Sequence, residues 1–224
     1  MQFYLNVWSD FASLPAVEII AALFGIASVW LARANNILVY PTGIVSVTLY
    51  VFICFQFSLY ADAAINLYYL GMSIYGWYFW LHGGRMQPGI VSLERPLDDI
   101  QEIKKEQEHA NISMNTLSEN LRYLAATAIC LLVVGFLLQE YTNSDVAWVD
   151  ATTTALFFTA MYAMARKKIE HWIFWILGNS ISIPLYIYKG LEVTAIQYLV
   201  FLILAIWGFI SWFKILEQNE SQTS

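Results

Sequence analysis

The sequence predicts an all-α polytopic membrane protein of seven transmembrane helices, built as two parallel three-helix repeats joined by one linker helix. Three observations carry that prediction. Of the 224 residues 59 % are hydrophobic and 12 % charged, against about 45–50 % and 25 % in soluble domains, and so few charges cannot cover that much apolar surface in water. The charges are bunched, leaving uncharged runs of the roughly 17–25 residues a bilayer requires. The two ends of the chain also resemble each other. The same hydrophobicity excludes disorder, and a net charge of −6 leaves no basic field for nucleic acid.

The elements follow in order. Residues 1–15, with Phe3, Tyr4, Trp8 and Phe11, suit an N-terminal interfacial segment. The first span, about 16–33, starts after Pro15, takes in Glu18 and stops at Arg33. The second and third, about 37–57 and 61–83, fill the uncharged stretches on either side of Asp62. Residues 84–120 change composition, from Arg85 through Glu94, Lys104 and Glu108 to Glu119, and read as a solvated cytoplasmic loop with a short helix over 97–109. Apolar runs resume at about 121–141, the linker helix, then 146–165, 169–188 and 192–213. The polar tail 214–224 is expected to fray. The repeats are therefore 16–83 and 146–213.

Ten basic residues, Arg33 and Lys214 among them, fall on the side of the odd loops and the C-terminus, and Lys189 alone falls on the other. The positive-inside rule puts the C-terminus in the cytoplasm and the N-terminus outside. The repeat itself shows in three ordered matches: Ala32-Arg33 with Ala165-Arg166, TGIVSVTLY (42–50) with GNSISIPLY (178–186), and IYGWYFW (74–80) with IWGFISW (206–212). In transporters built this way the solute sits near the midplane between the repeats.

The deep polar residues are amides, hydroxyls and aromatics. On the sixth helix Trp172, Trp175, Asn179, Ser182 and Tyr186 recur at steps of three and four, which is one face. The seventh adds Gln197, Tyr198 and Trp207, and the third adds Asn66, Tyr69 and Ser73. Trp80 and Trp212 read as interfacial anchors, and Gly43, Gly76, Gly178 and Gly208 as helix-packing positions. Cys54 and Cys130 read as packing residues. Glu18, Asp62, Asp150 and Glu192 lie near outer helix ends, and no span carries a charge at its middle. A proton-coupled carrier needs a buried titratable group, so facilitated diffusion is favoured. His82, His109 and His171 are scattered, no catalytic, phosphate-loop or metal motif is present, and neither an enzyme nor a cofactor is expected. A ring-lined centre without charge suits a flat neutral or cationic solute bearing hydroxyls, and cannot neutralise a phosphate. On residues alone the class stops at a nucleoside-like or vitamin-like molecule.

Residues 40–80, with YPTG, VSVTLY, LYADAAINLYY and YGWYFW, resemble the first half of the PnuC-type vitamin transporters. Trp175, Asn179, Ile183–Tyr186, Gln197-Tyr198 and Trp207-Gly208 resemble the second half. The resemblance spans residues 20–213. It implies a nicotinamide riboside transporter with the 3+1+3 fold of the SWEET sugar carriers, working as a homotrimer among lipids of the bacterial inner membrane, with uptake driven by phosphorylation inside the cell. Asn66 stands where the family pattern leads one to expect Gln. Under this reading the pyridinium ring lies against Trp175 and Trp207, Asn179 and Gln197 meet carboxamide or ribose, and Asn66 and Tyr69 face them. Trp172, Ser73, Ser182 and Tyr198 complete the expected site. Thiamine, riboflavin and, for a SWEET-type carrier, sugars are the alternative cargoes.

Overall fold

The computed structural model describes residues 15–57, 59–83, 110–142 and 144–223. The interfacial segment, the helix expected over 97–109 and most of the loop lie outside these residues. Among those described, seven α-helices follow one another: α1 (Pro15–Arg33), α2 (Val39–Gln56), α3 (Tyr60–His82), α4 (Leu117–Tyr141), α5 (Ala147–Ala165), α6 (His171–Tyr188) and α7 (Glu192–Thr223). α2, α4 and α7 are each long and apolar enough to cross a membrane.

Two boundaries differ from the sequence reading, and both have a local cause. α4 begins four residues early because Thr116 caps it: its hydroxyl accepts from the Glu119 amide while the Glu119 carboxylate accepts from the Thr116 amide. α7 runs on to Thr223 through the tail expected to fray. Ile215 and Leu216 keep one face of that extension packed against the buried cluster at this end of the bundle, so the helix continues past its polar residues.

Within each half neighbouring helices pack in chain order, α1 on α2 on α3 and α5 on α6 on α7, with α4 against α5. The halves meet through α1 against α7 and α3 against α5. Local bonds recur across them at one spacing of 132 residues. α1 and α5 both end in a Schellman motif: Asn35 and Lys167 take positive φ of 51° and 56°, the Asn35 and Lys167 amides bond Ala32 O and Met164 O, and the Asn36 and Lys168 amides bond Leu31 O and Ala163 O. The α2–α3 and α6–α7 turns match too, Leu59 N bonding Cys54 O at 2.8 Å and Leu191 N bonding Tyr186 O at 2.9 Å. Of the three sequence matches, only IYGWYFW with IWGFISW has this register. The TGIVSVTLY match is four residues out, about one helical turn, where an apolar helix resembles itself, and the Ala-Arg match is one residue out.

Trp80 and Trp212 correct the sequence reading most. Both are buried instead of anchoring at an interface. The Trp80 indole N–H donates to Met164 O at 3.1 Å and the Trp212 N–H to Ala32 O at 2.9 Å. Each therefore adds a second donor to a terminal carbonyl of the other half, one already bonded by the Asn35 or Lys167 amide. Trp80 meets Tyr40 edge to face, and Trp212 meets Trp172 likewise. Room for both rings depends on glycine: a Cβ on Gly76 would lie about 2.5 Å from the Tyr40 ring, and one on Gly208 about 2.5 Å from Trp172.

Candidate functional site

The rings gather around one face of α6. Phe157 of α5 lies against Gly178, where a side chain would collide with it. Its ring stacks on Trp175 at 5.1 Å between centroids and, nearly parallel, on Tyr198 at 6.0 Å. Tyr198 stacks on Tyr186 at 4.9 Å between ring centroids. From α3, Tyr69 meets Phe158 edge-on at 6.0 Å and lies within electrostatic reach of Tyr186 and Tyr198. Tyr68 stacks on Phe158 at 4.1 Å and donates to its carbonyl at 2.9 Å, fixing α3 against α5. Gln197 reaches the Tyr50 hydroxyl of α2, tying α7 to the first half.

Two polar side chains project from the same α6 face. Asn179 is 1 % exposed and Ser182 is wholly buried. The Asn179 carbonyl oxygen and the Ser182 hydroxyl have no hydrogen-bond partner in the protein. A buried polar atom left unpaired costs about 1–3 kcal/mol, so these two atoms suit a ligand that supplies donors and an acceptor between the rings. Among the described residues no group of three or more His, Cys, Asp or Glu side chains could hold a metal.

The ten residues expected at the site separate into two sets. Tyr69, Trp175 and Tyr198 join the ring cluster, with Asn179 and Ser182 on its α6 face, and Gln197 lies toward Tyr50 of α2. The other four lie elsewhere. Trp172 belongs to the buried cluster with Trp212, against which Tyr69 and Trp175 also pack, and its ring covers Gly208. Ser73 is buried beside Gly43, where the first three helices close on each other. Asn66 turns its amide back onto the Asp62 carbonyl of its own helix at 2.9 Å. Trp207 is 48 % exposed and sits by Arg33, on the side of α7 opposite Tyr198, so it does not oppose Trp175. Phe157, Phe158 and Tyr50 were missed. In the sequence they are indistinguishable from span filler, whereas Tyr186 already stood on the α6 face by its spacing.

Residues 15–214 match the family described as nicotinamide mononucleotide transporter. The nicotinamide riboside transporter PnuC of Escherichia coli (strain K12) is 23 % identical, over 93 % of this chain and 90 % of that protein. The riboflavin/roseoflavin transporter RibM of Streptomyces davaonensis is 24 % identical, over 92 % and 84 %. A crystal structure of the vitamin B3 transporter PnuC has the same fold, with a TM-score of 0.67 over 97 % of this chain and 92 % of that one, at 22 % identity.

Proposed function

We propose that this chain, which belongs to the nicotinamide mononucleotide transporter family, carries nicotinamide riboside across a bacterial inner membrane by facilitated diffusion. The observation that carries the reading is the α6 face: two buried oxygens without partners among stacked rings. The ligand's flat pyridinium cation suits the faces of Trp175, Phe157 and Tyr198. Its carboxamide donates to Asn179, and its ribose hydroxyls meet Ser182 and Gln197. The unphosphorylated riboside fits better than the mononucleotide, because the ring cluster carries no basic side chain to offset a phosphate in a dry site.

Residues 16–83 and 146–213 act as two parallel repeats around α4 in a 3+1+3 arrangement. The bonds recurring at 132 residues, and the paired α1–α7 and α3–α5 seams, support this. Exchanging the halves turns one seam into the other, and rocking of one half against the other at these seams gives alternating access. The solute site lies between them, and the C-terminus faces the cytoplasm, where phosphorylation of the arriving riboside keeps uptake downhill. The working unit is a homotrimer.

Liposomes holding the purified chain test the proposal with labelled nicotinamide riboside, riboflavin, thiamine and glucose. Riboside uptake that equilibrates without a proton gradient is the expected result. Riboflavin is the second reading, favoured by the RibM relative, and faster entry of riboflavin than of riboside would replace the first.

A further inference from the structure

We propose that a cleft at the cytoplasmic ends of α1 and α7 binds the phosphate of an anionic phospholipid headgroup. The cleft, of about 230 Å³, is lined by Arg33, Trp207, Ile210 and Ser211. The Arg33 guanidinium lies 4.1 Å above the Trp30 ring and 5.8 Å from that of Trp207, and its Nε is buried without an acceptor. The two ion pairs among the described residues, Lys168–Glu119 and Lys189–Asp150, leave this cation out.

The α3–α5 seam holds an arginine one residue out of register with Arg33, and there the space is filled. Arg166 reaches across to α3, donates to the Tyr75 hydroxyl at 3.1 Å and lies 4.5 Å from the Phe79 ring. At the 132-residue spacing, Tyr75 corresponds to Trp207 and Phe79 to Ser211. The α1–α7 seam thus presents an indole where the α3–α5 seam presents the phenol, and a small hydroxyl where it presents the ring, while Arg33 stands one residue before the position that matches Arg166. Arg33 is left unsatisfied beside an open cleft.

The α1 carbonyls nearby repel an anion less than bare ones would, since Trp30, Leu31 and Ala32 oxygens all accept from N–H groups, and the Arg33 charge offsets what remains. Trp30, Trp207 and Ile210 are each about half exposed, so the cleft opens onto an apolar side wall. Exposed indoles beside an arginine at a membrane-interface level favour a lipid phosphate over a soluble one.

Native mass spectrometry of the full chain in detergent tests this, with phosphatidylglycerol, phosphatidylcholine or inorganic phosphate as the added probe. The wild type should take phosphatidylglycerol about fivefold more readily than phosphatidylcholine. Arg33→Gln should abolish that preference, Ser211→Phe should abolish it by filling the cleft as Phe79 does, and Arg166→Gln should keep it. The proposal is overturned if the preference survives in both Arg33→Gln and Ser211→Phe, if Arg166→Gln loses it equally, or if inorganic phosphate competes the lipid away.

Discussion

Asn179 and Ser182 set two unpaired oxygens one turn apart on α6, and the rings of Trp175 and Phe157 lie just before them. Asn179→Ala should weaken nicotinamide riboside binding by about 1–3 kcal/mol, read by calorimetry, because the ligand's donor is then left unpaired. Trp207→Phe should leave that affinity unchanged, since Trp207 faces away. Lys167 offers a test by pH. Its ammonium is buried in the α5–α6 turn, donates to Ala110 O at 2.7 Å and lies 4.4 Å from the Trp80 ring. Burial lowers its pKa from 10.5 to about 8. Folding then releases a proton between those values, so stability rises with pH from about 8 to 10.5 and that gain is lost as pH falls through 8. Thermal unfolding across this window should show the rise, on the order of 3 kcal/mol, and Lys167→Met should flatten it. Asn179 was expected at the site from its spacing on α6, whereas the places of Trp207 and Lys167 were not visible: Trp207 and Trp175 are the same letter in the same kind of run, and only their positions around two helices separate them.

Spans were legible at the scale of elements because a bilayer demands length and an absence of charge, and both are one-dimensional. The seven helices fall within a few residues of the expected 16–33 through 192–213, apart from the ends of α4 and α7. The early start of α4 was written in the sequence as T-x-x-E, and Thr116→Ala should cost about 1 kcal/mol in the unfolding of that end. The late end of α7 was not, because it depends on where Ile215 and Leu216 land. Gly208→Ala tests the contact between α6 and α7. Its methyl would overlap Trp172, and the expected loss is about 1–3 kcal/mol from forced repacking, measured as a lowered melting temperature in detergent.

At the scale of the molecule, the halves are fastened by two indoles exchanged across the seams, Trp80 to Met164 and Trp212 to Ala32. Removing both N–H donors, as in a Trp80→Phe, Trp212→Phe double variant, should cost about 1–3 kcal/mol in all. Riboside affinity should change little while the rate of exchange in liposomes changes, because the bonds lie at the seams and away from the ring cluster. Unequal effects of the two single variants on exchange would show that the seams do not move as equivalents.

Composition, uncharged run length and the Gly-Trp match at 74–80 and 206–212 determined by themselves that this is a helical membrane protein with a repeated end, since each is a property of residues read along one line. The tertiary structure decided the register of the recurring bonds, the burial of Trp80 and Trp212, and the division of ten expected site residues into those on the ring-lined α6 face and those elsewhere. The physical reason is that an apolar helix looks much the same on every side until another helix covers one of them.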